Sequence, residues 1–113
     1  ELVRKAVDAT EAGGQGVIGM DETLGAIQAG RVQILLVADG RRIPGTACRN
    51  GDHLSTTPFS VCPVCGGPGT AVPDLVAAAV ERAYLTGARV ETVQGEAREL
   101  LLDRGGIGAV LRF

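Results

Sequence analysis

Two rhythms of apolar and polar positions run through this chain. Leu2, Val3, Ala6 and Val7 recur at helical spacing, with Arg4, Lys5, Asp8 and Glu11 between them. That predicts a helix ending before Gly13 and Gly14. Gly16 to Gly19 suits a short strand. Asp21 is the expected N-cap of a second helix, Glu22 and Thr23 fit its first turn, Leu24 and Ile27 form its buried stripe, and Gly30 stops it. Arg31 to Asp39 then reads as a strand. Its unbroken apolar run from Ile34 to Ala38 marks a central strand covered on both faces.

The rhythm stops at Gly40 and resumes at Val72. Beyond it, Pro73 and Asp74 open a helix whose core face is Leu75, Val76, Ala79, Val80 and Ala83, and Gly87 closes it. Ala88 to Val93 is a strand, Glu96 to Asp103 a short helix closed by Gly105 and Gly106, and Ile107 to Phe113 a last apolar strand. Strands separated by helices of this length predict an α/β fold with a mostly parallel or mixed sheet and helices on both faces.

Composition narrows the function. At 113 residues with 45% hydrophobic content, the chain suffices for one packed domain spanning 1–113. A start at Glu1 leads us to expect an excerpt of a longer protein. No apolar run approaches the ~18 residues of a membrane span, and no signal-peptide pattern is present. The net charge of -2 is spread without a basic block, and aromatics are only 3%. Neither a nucleic-acid surface nor a stacking platform for single strands is indicated.

The interruption at 40–72 holds Cys48, Cys62, Cys65 and the sole histidine, His53. An odd cysteine count fits metal-bound thiolates in a reducing cytoplasm better than a disulfide framework. Cys62-Pro63-Val64-Cys65-Gly66 is spaced as a zinc-knuckle turn, in which two intervening residues let both thiolates face one ion. Cys48 and His53 are the soft donors on the opposite arm. The set Cys48, His53, Cys62 and Cys65 predicts a structural zinc site of zinc-ribbon type, with Asp52 or water as the alternative to His53. The segment has little core of its own, so the ion would fold it. Four protein ligands leave no open position for catalysis. The competing readings are a loop that has lost its metal and a redox CxxC. The latter wants a helix directly after it, where Gly66-Gly67-Pro68-Gly69 stands.

Two further motifs are weighed. Gly14, Gly16 and Gly19 match a dinucleotide fingerprint with Asp39 twenty residues on, yet a helix precedes it where a strand is required. Gly13-Gly14-Gln15 spells the peptidyl-tRNA-hydrolysing tripeptide of release factors, but between two core elements it reads as a helix stop. No nucleophile–base pair is evident, so the expected protein is not an enzyme.

Three stretches resemble one family. Gly19-Met20-Asp21-Glu22-Thr23-Leu24 through Val37 is similar to the opening of the third, C-terminal domain of archaeal and eukaryotic class-one release factors and Pelota. Gly87-Ala88-Arg89-Val90-Glu91 matches a helix closing there. Gly105-Gly106-Ile107-Gly108-Ala109-Val110-Leu111-Arg112-Phe113 resembles its terminal strand. The pattern is nearest the bacterial and archaeal release-factor-like branch, and a cysteine-bearing minidomain occurs at the matching place. The resemblance implies a three-layer α/β/α sandwich with a mixed central sheet, of the kink-turn-binding ribosomal protein type. It implies a non-catalytic cytoplasmic domain that docks a translational GTPase or the ribosome, with any Gly-Gly-Gln catalysis in a separate upstream domain. Direct kink-turn RNA binding is the alternative. Relatives that bind such RNA start this helix with Asn-Glu, whereas Asp21-Glu22 here puts an anion where phosphates and guanine edges would approach. Nucleotide binding at Gly14 to Gly19 is the second alternative.

Overall fold

The computed structural model describes residues 15–48, 53–64 and 66–112. The helix expected near residues 2–12, together with Gly13, Gly14, Asp52, Cys65 and Phe113, lies outside them. In chain order the elements are β1 (Gly16–Ile18), α1 (Met20–Gln28), β2 (Val32–Ala38), β3 (Gly45–Cys48), β4 (Leu54–Ser55), β5 (Gly69–Val72), α2 (Leu75–Leu85), β6 (Arg89–Val93), α3 (Gly95–Leu102) and β7 (Ile107–Leu111).

The main sheet runs β1-β7-β2-β6. β7 is antiparallel to both β1 and β2, and β2 is parallel to β6, so the sheet is mixed. From Leu35 onward in β2, and along β7, residues alternate across it, as the two-residue period of a strand requires. Leu35 and Val37 of β2, with Ile107, Ala109 and Leu111 of β7, face α1 and α2. Leu36 and Ala38, with Val110, face α3 and its buried Leu101. Leu35 and Leu36 are both fully buried, each worth roughly 2 kcal/mol of burial on its own side of the sheet. Val32 breaks the alternation by joining the α1/α2 side. The pairing with β7 slips between Val32 and Ile34, and one extra residue moves a side chain to the other face. The layers are therefore helix, sheet, helix, as expected.

Helix ends follow the glycines. After α1, Gly30 adopts φ 71; its N–H bonds to the carbonyl of Ile27 and that of Arg31 to the carbonyl of Ala26. This double bond pattern satisfies orphan carbonyls and needs a residue free to enter the left-handed region. The same pair of bonds closes α2 at Gly87-Ala88 and α3 at Gly105-Gly106. Asp74 caps α2 by accepting from the Val76 N–H at 3.1 Å.

One start differs from expectation. Gly19, not Asp21, is the N-cap of α1, at φ 98 and with no side-chain cap. The Gly19 N–H bonds to the carbonyl of Ile107 in β7, and that tie begins the helix two residues early. Asp21 falls in the first turn, where its charge suits the helix dipole.

The segment 40–72 also departs from the expected self-poor excursion. It contains a second sheet, β4-β3-β5, antiparallel throughout. Leu54 is buried in the main core, and Ile43, Ala47 and Val72 pack against it. The root of the segment is thus part of the domain interior.

Candidate functional site

The projecting arm is built by close backbone approaches. At Gly45 a Cβ would lie 2.7 Å from Leu75 Cδ2 and 2.8 Å from the Ser55 carbonyl, so only glycine lets β3 run between α2 and β4. β3 ends at Cys48, whose register partner in β5 is Gly69. The Gly69 N–H crosses to the carbonyl of Ser60, Val61 bridges Pro68, and the Cys62 N–H reaches the carbonyl of Gly67. Residues 67–69 therefore lie between the end of β3 and the strand-like stretch 60–62. Cys48 and Cys62 sit on the two arms that flank it.

At Cys62 the backbone folds back. The Gly66 N–H donates to the Cys62 carbonyl at 2.9 Å, and the Val64 N–H donates to Cys62 Sγ at 3.3 Å. The chain thus turns back directly after Cys62, with one backbone amide directed at its sulfur. Cys48 and Cys62 are 3% and 2% exposed in an otherwise thin arm. His53 lies beside the end of β3, its carbonyl accepting from the Cys48 N–H. Its ring meets Phe59, with centroids 5.2 Å apart and planes at 51°. Among the described residues no three His, Cys, Asp or Glu side chains gather as a metal-holding group. Cys65, the fourth expected ligand, is outside them.

Two side chains of α1 fasten the arm to the body. Gln28 Oε1 accepts from the Leu54 N–H at 2.9 Å while its Nε2 donates to the Leu24 carbonyl. Thr56 Oγ1 donates to Asp21 Oδ1 at 2.9 Å. The acid at the helix start thus holds the arm. Nothing in the sequence marked Gln28, because a glutamine in a last helical turn has no distinctive pattern. Beyond these ties the arm's tip carries exposed Val61 and Val64.

The remaining motif residues are absorbed by the fold. Gly16 is inside β1, paired with Val110. The Gly19 N–H is spent on Ile107, so it is not available as the phosphate-facing amide of a dinucleotide loop. Gln15 is exposed at the start of β1, its carbonyl accepting from the Leu111 N–H. Among the described residues no helix is long and apolar enough to cross a membrane.

This fold is shared with solved structures of a release-factor C-terminal domain and of Pelota. The C-terminal domain of a peptide chain release factor from Methanosarcina mazei superposes with a TM-score of 0.66 at 24% identity, over 99% of this chain and 79% of that one. Pelota from Thermoplasma acidophilum gives 0.59 at 18% identity, and Pelota from Archaeoglobus fulgidus 0.60 at 18%. The chain spans 27% and 28% of those two proteins. The likeness is one of fold. No protein-family model matches the sequence, and no curated protein matches it.

Proposed function

We propose that the chain is a non-catalytic interaction domain of a translation termination or ribosome-rescue protein, docking a protein partner of the translational GTPase class at the ribosome in the cytoplasm. The observation that carries this reading is the agreement in architecture over 99% of the chain with a release-factor C-terminal domain. The resemblance of Gly105 to Phe113 to that domain's terminal strand supports it from the sequence side, and Ile107–Leu111 forms an interior strand between β1 and β2. On this reading any peptidyl-tRNA hydrolysis belongs to another domain. Co-sedimentation of the natural full-length protein with ribosomes, empty and stalled, is the test. Association is expected, and its absence from both samples would overturn the proposal.

The arm's tip, on the same reading, is held by structural zinc on Cys48, His53, Cys62 and Cys65. The amide-to-sulfur bond at Cys62 and the burial of Cys48 favour it. Zinc supplies folding energy there and no chemistry. Elemental analysis should find one zinc per chain, lost in Cys62→Ser. A wild-type protein purified without metal would sink the idea.

A further inference from the structure

β6 is an edge strand: among the described residues no strand lies on its far side. Its orientation is fixed by the ladder with β2. The Asp39 N–H donates to the Val93 carbonyl, and Arg89, Glu91 and Val93 pair with Ile34, Leu36 and Ala38. Polar groups of alternate residues in a strand point to opposite sides. Arg89, Glu91 and Val93 therefore turn their amides and carbonyls toward β2, and Val90 and Thr92 turn theirs outward.

Exposed edges of this kind are templates for another strand, and charged side chains are the usual guard against pairing. Here the guard has opposite signs two residues apart. Arg89 and Glu91 share one face, their side chains 64% and 38% exposed, and Arg89 Nε donates to Glu91 Oε1 at 2.7 Å. If a second β6 lies antiparallel with Val90 opposite Val90, the outward groups of the two valines bond each other. Arg89 of each copy then faces Glu91 of the other. Shifting the register by one outward pair brings Val90 opposite Thr92 and Glu91 opposite Glu91, a like-charge contact that disfavours it. The charge pattern is self-complementary in one register about a twofold axis, as an isologous contact requires.

We propose that β6 pairs antiparallel with β6 of a second copy, centred on Val90, joining two four-stranded sheets into one. Tyr84 and Leu85, 61% and 72% exposed, end the helix that leads into β6. This proposal does not depend on the functional reading above.

Sedimentation velocity across a concentration series tests it, with circular dichroism as a check on folding. The wild type is expected to dimerise. Arg89→Glu puts glutamate opposite glutamate, and Glu91→Arg puts arginine opposite arginine, so each alone should weaken the dimer at least about tenfold. Mixing the two variants should restore association as a heterodimer, and the double exchange Arg89→Glu with Glu91→Arg should restore the homodimer. A purely structural role for the ion pair gives no recovery on mixing. A wild type that stays monomeric at millimolar concentration, single variants that dimerise unchanged, or folded variants that fail to associate when mixed would each overturn the proposal.

Discussion

Replacing Gly69 by alanine should damage this protein more than any other single added methyl. Gly69 has no unusual backbone angle, so the effect is purely steric. Its Cβ would lie 2.1 Å from the Phe59 carbonyl oxygen and 2.7 and 2.8 Å from two Phe59 ring carbons. The ring could rotate, but a backbone carbonyl cannot step aside alone. Relief requires residues 67–69 to move off the 59–62 stretch, lengthening the 3.1 Å bond from the Gly69 N–H to Ser60. Overpacking costs about 1–3 kcal/mol and a lost hydrogen bond about 1 more, so a loss of about 3 kcal/mol is expected, or roughly 10–15 °C in Tm. Urea unfolding followed by far-UV circular dichroism measures it, with an unchanged m value indicating that arm and body melt together. Gly25 provides the control. It is exposed within α1, and a Cβ there meets nothing within 4 Å. Gly25→Ala should stabilise by about 0.5–1 kcal/mol through helix propensity. A Gly69→Ala protein within about 0.5 kcal/mol of wild type would refute the account of how the arm is assembled.

Three smaller substitutions test the body. The Thr23 hydroxyl is fully buried and has no hydrogen-bond partner among the described residues; Thr23→Val keeps the shape and should raise stability by about 1 kcal/mol in the same urea assay. Gln28→Ala strands the Leu54 N–H against the core and should cost about 1–2 kcal/mol, read as a lower midpoint. Asp74→Ala removes the cap of α2 and should cost about 1 kcal/mol by thermal melting. The Arg42 contact to Asp74, at 3.9 Å with Arg42 exposed, should add nothing measurable to that loss.

Most of the body was legible in the sequence because its signals are local. The apolar run Ile34 to Ala38 could only be a strand buried on both faces, and β2 is one. The stop glycines at 30, 87 and 105 ended three helices where the chain must turn left-handed. Asp21 was misjudged as a cap because the deciding bond, from Gly19 to Ile107, spans the whole domain. The second sheet was missed for the same reason: β3 and β5 are short, and their pairing across the loop leaves no periodic trace. Of the candidate centre, the tight turn after Cys62 was readable from the CxxCG spacing. The position of His53 beside Phe59 was not, since a ring contact within a largely irregular stretch leaves no pattern in the sequence.

Because Leu54 is embedded in the same interior as Ile27 and Leu75, the arm cannot detach as a unit. If the proposed zinc is bound at its tip, stripping it would leave amides of β3 slow to exchange with deuterium while those beyond Phe59 become fast, since opening there exposes little apolar surface. The arm would then fray from its far end inward, and the boundary would fall where its side chains stop sharing the domain's oil.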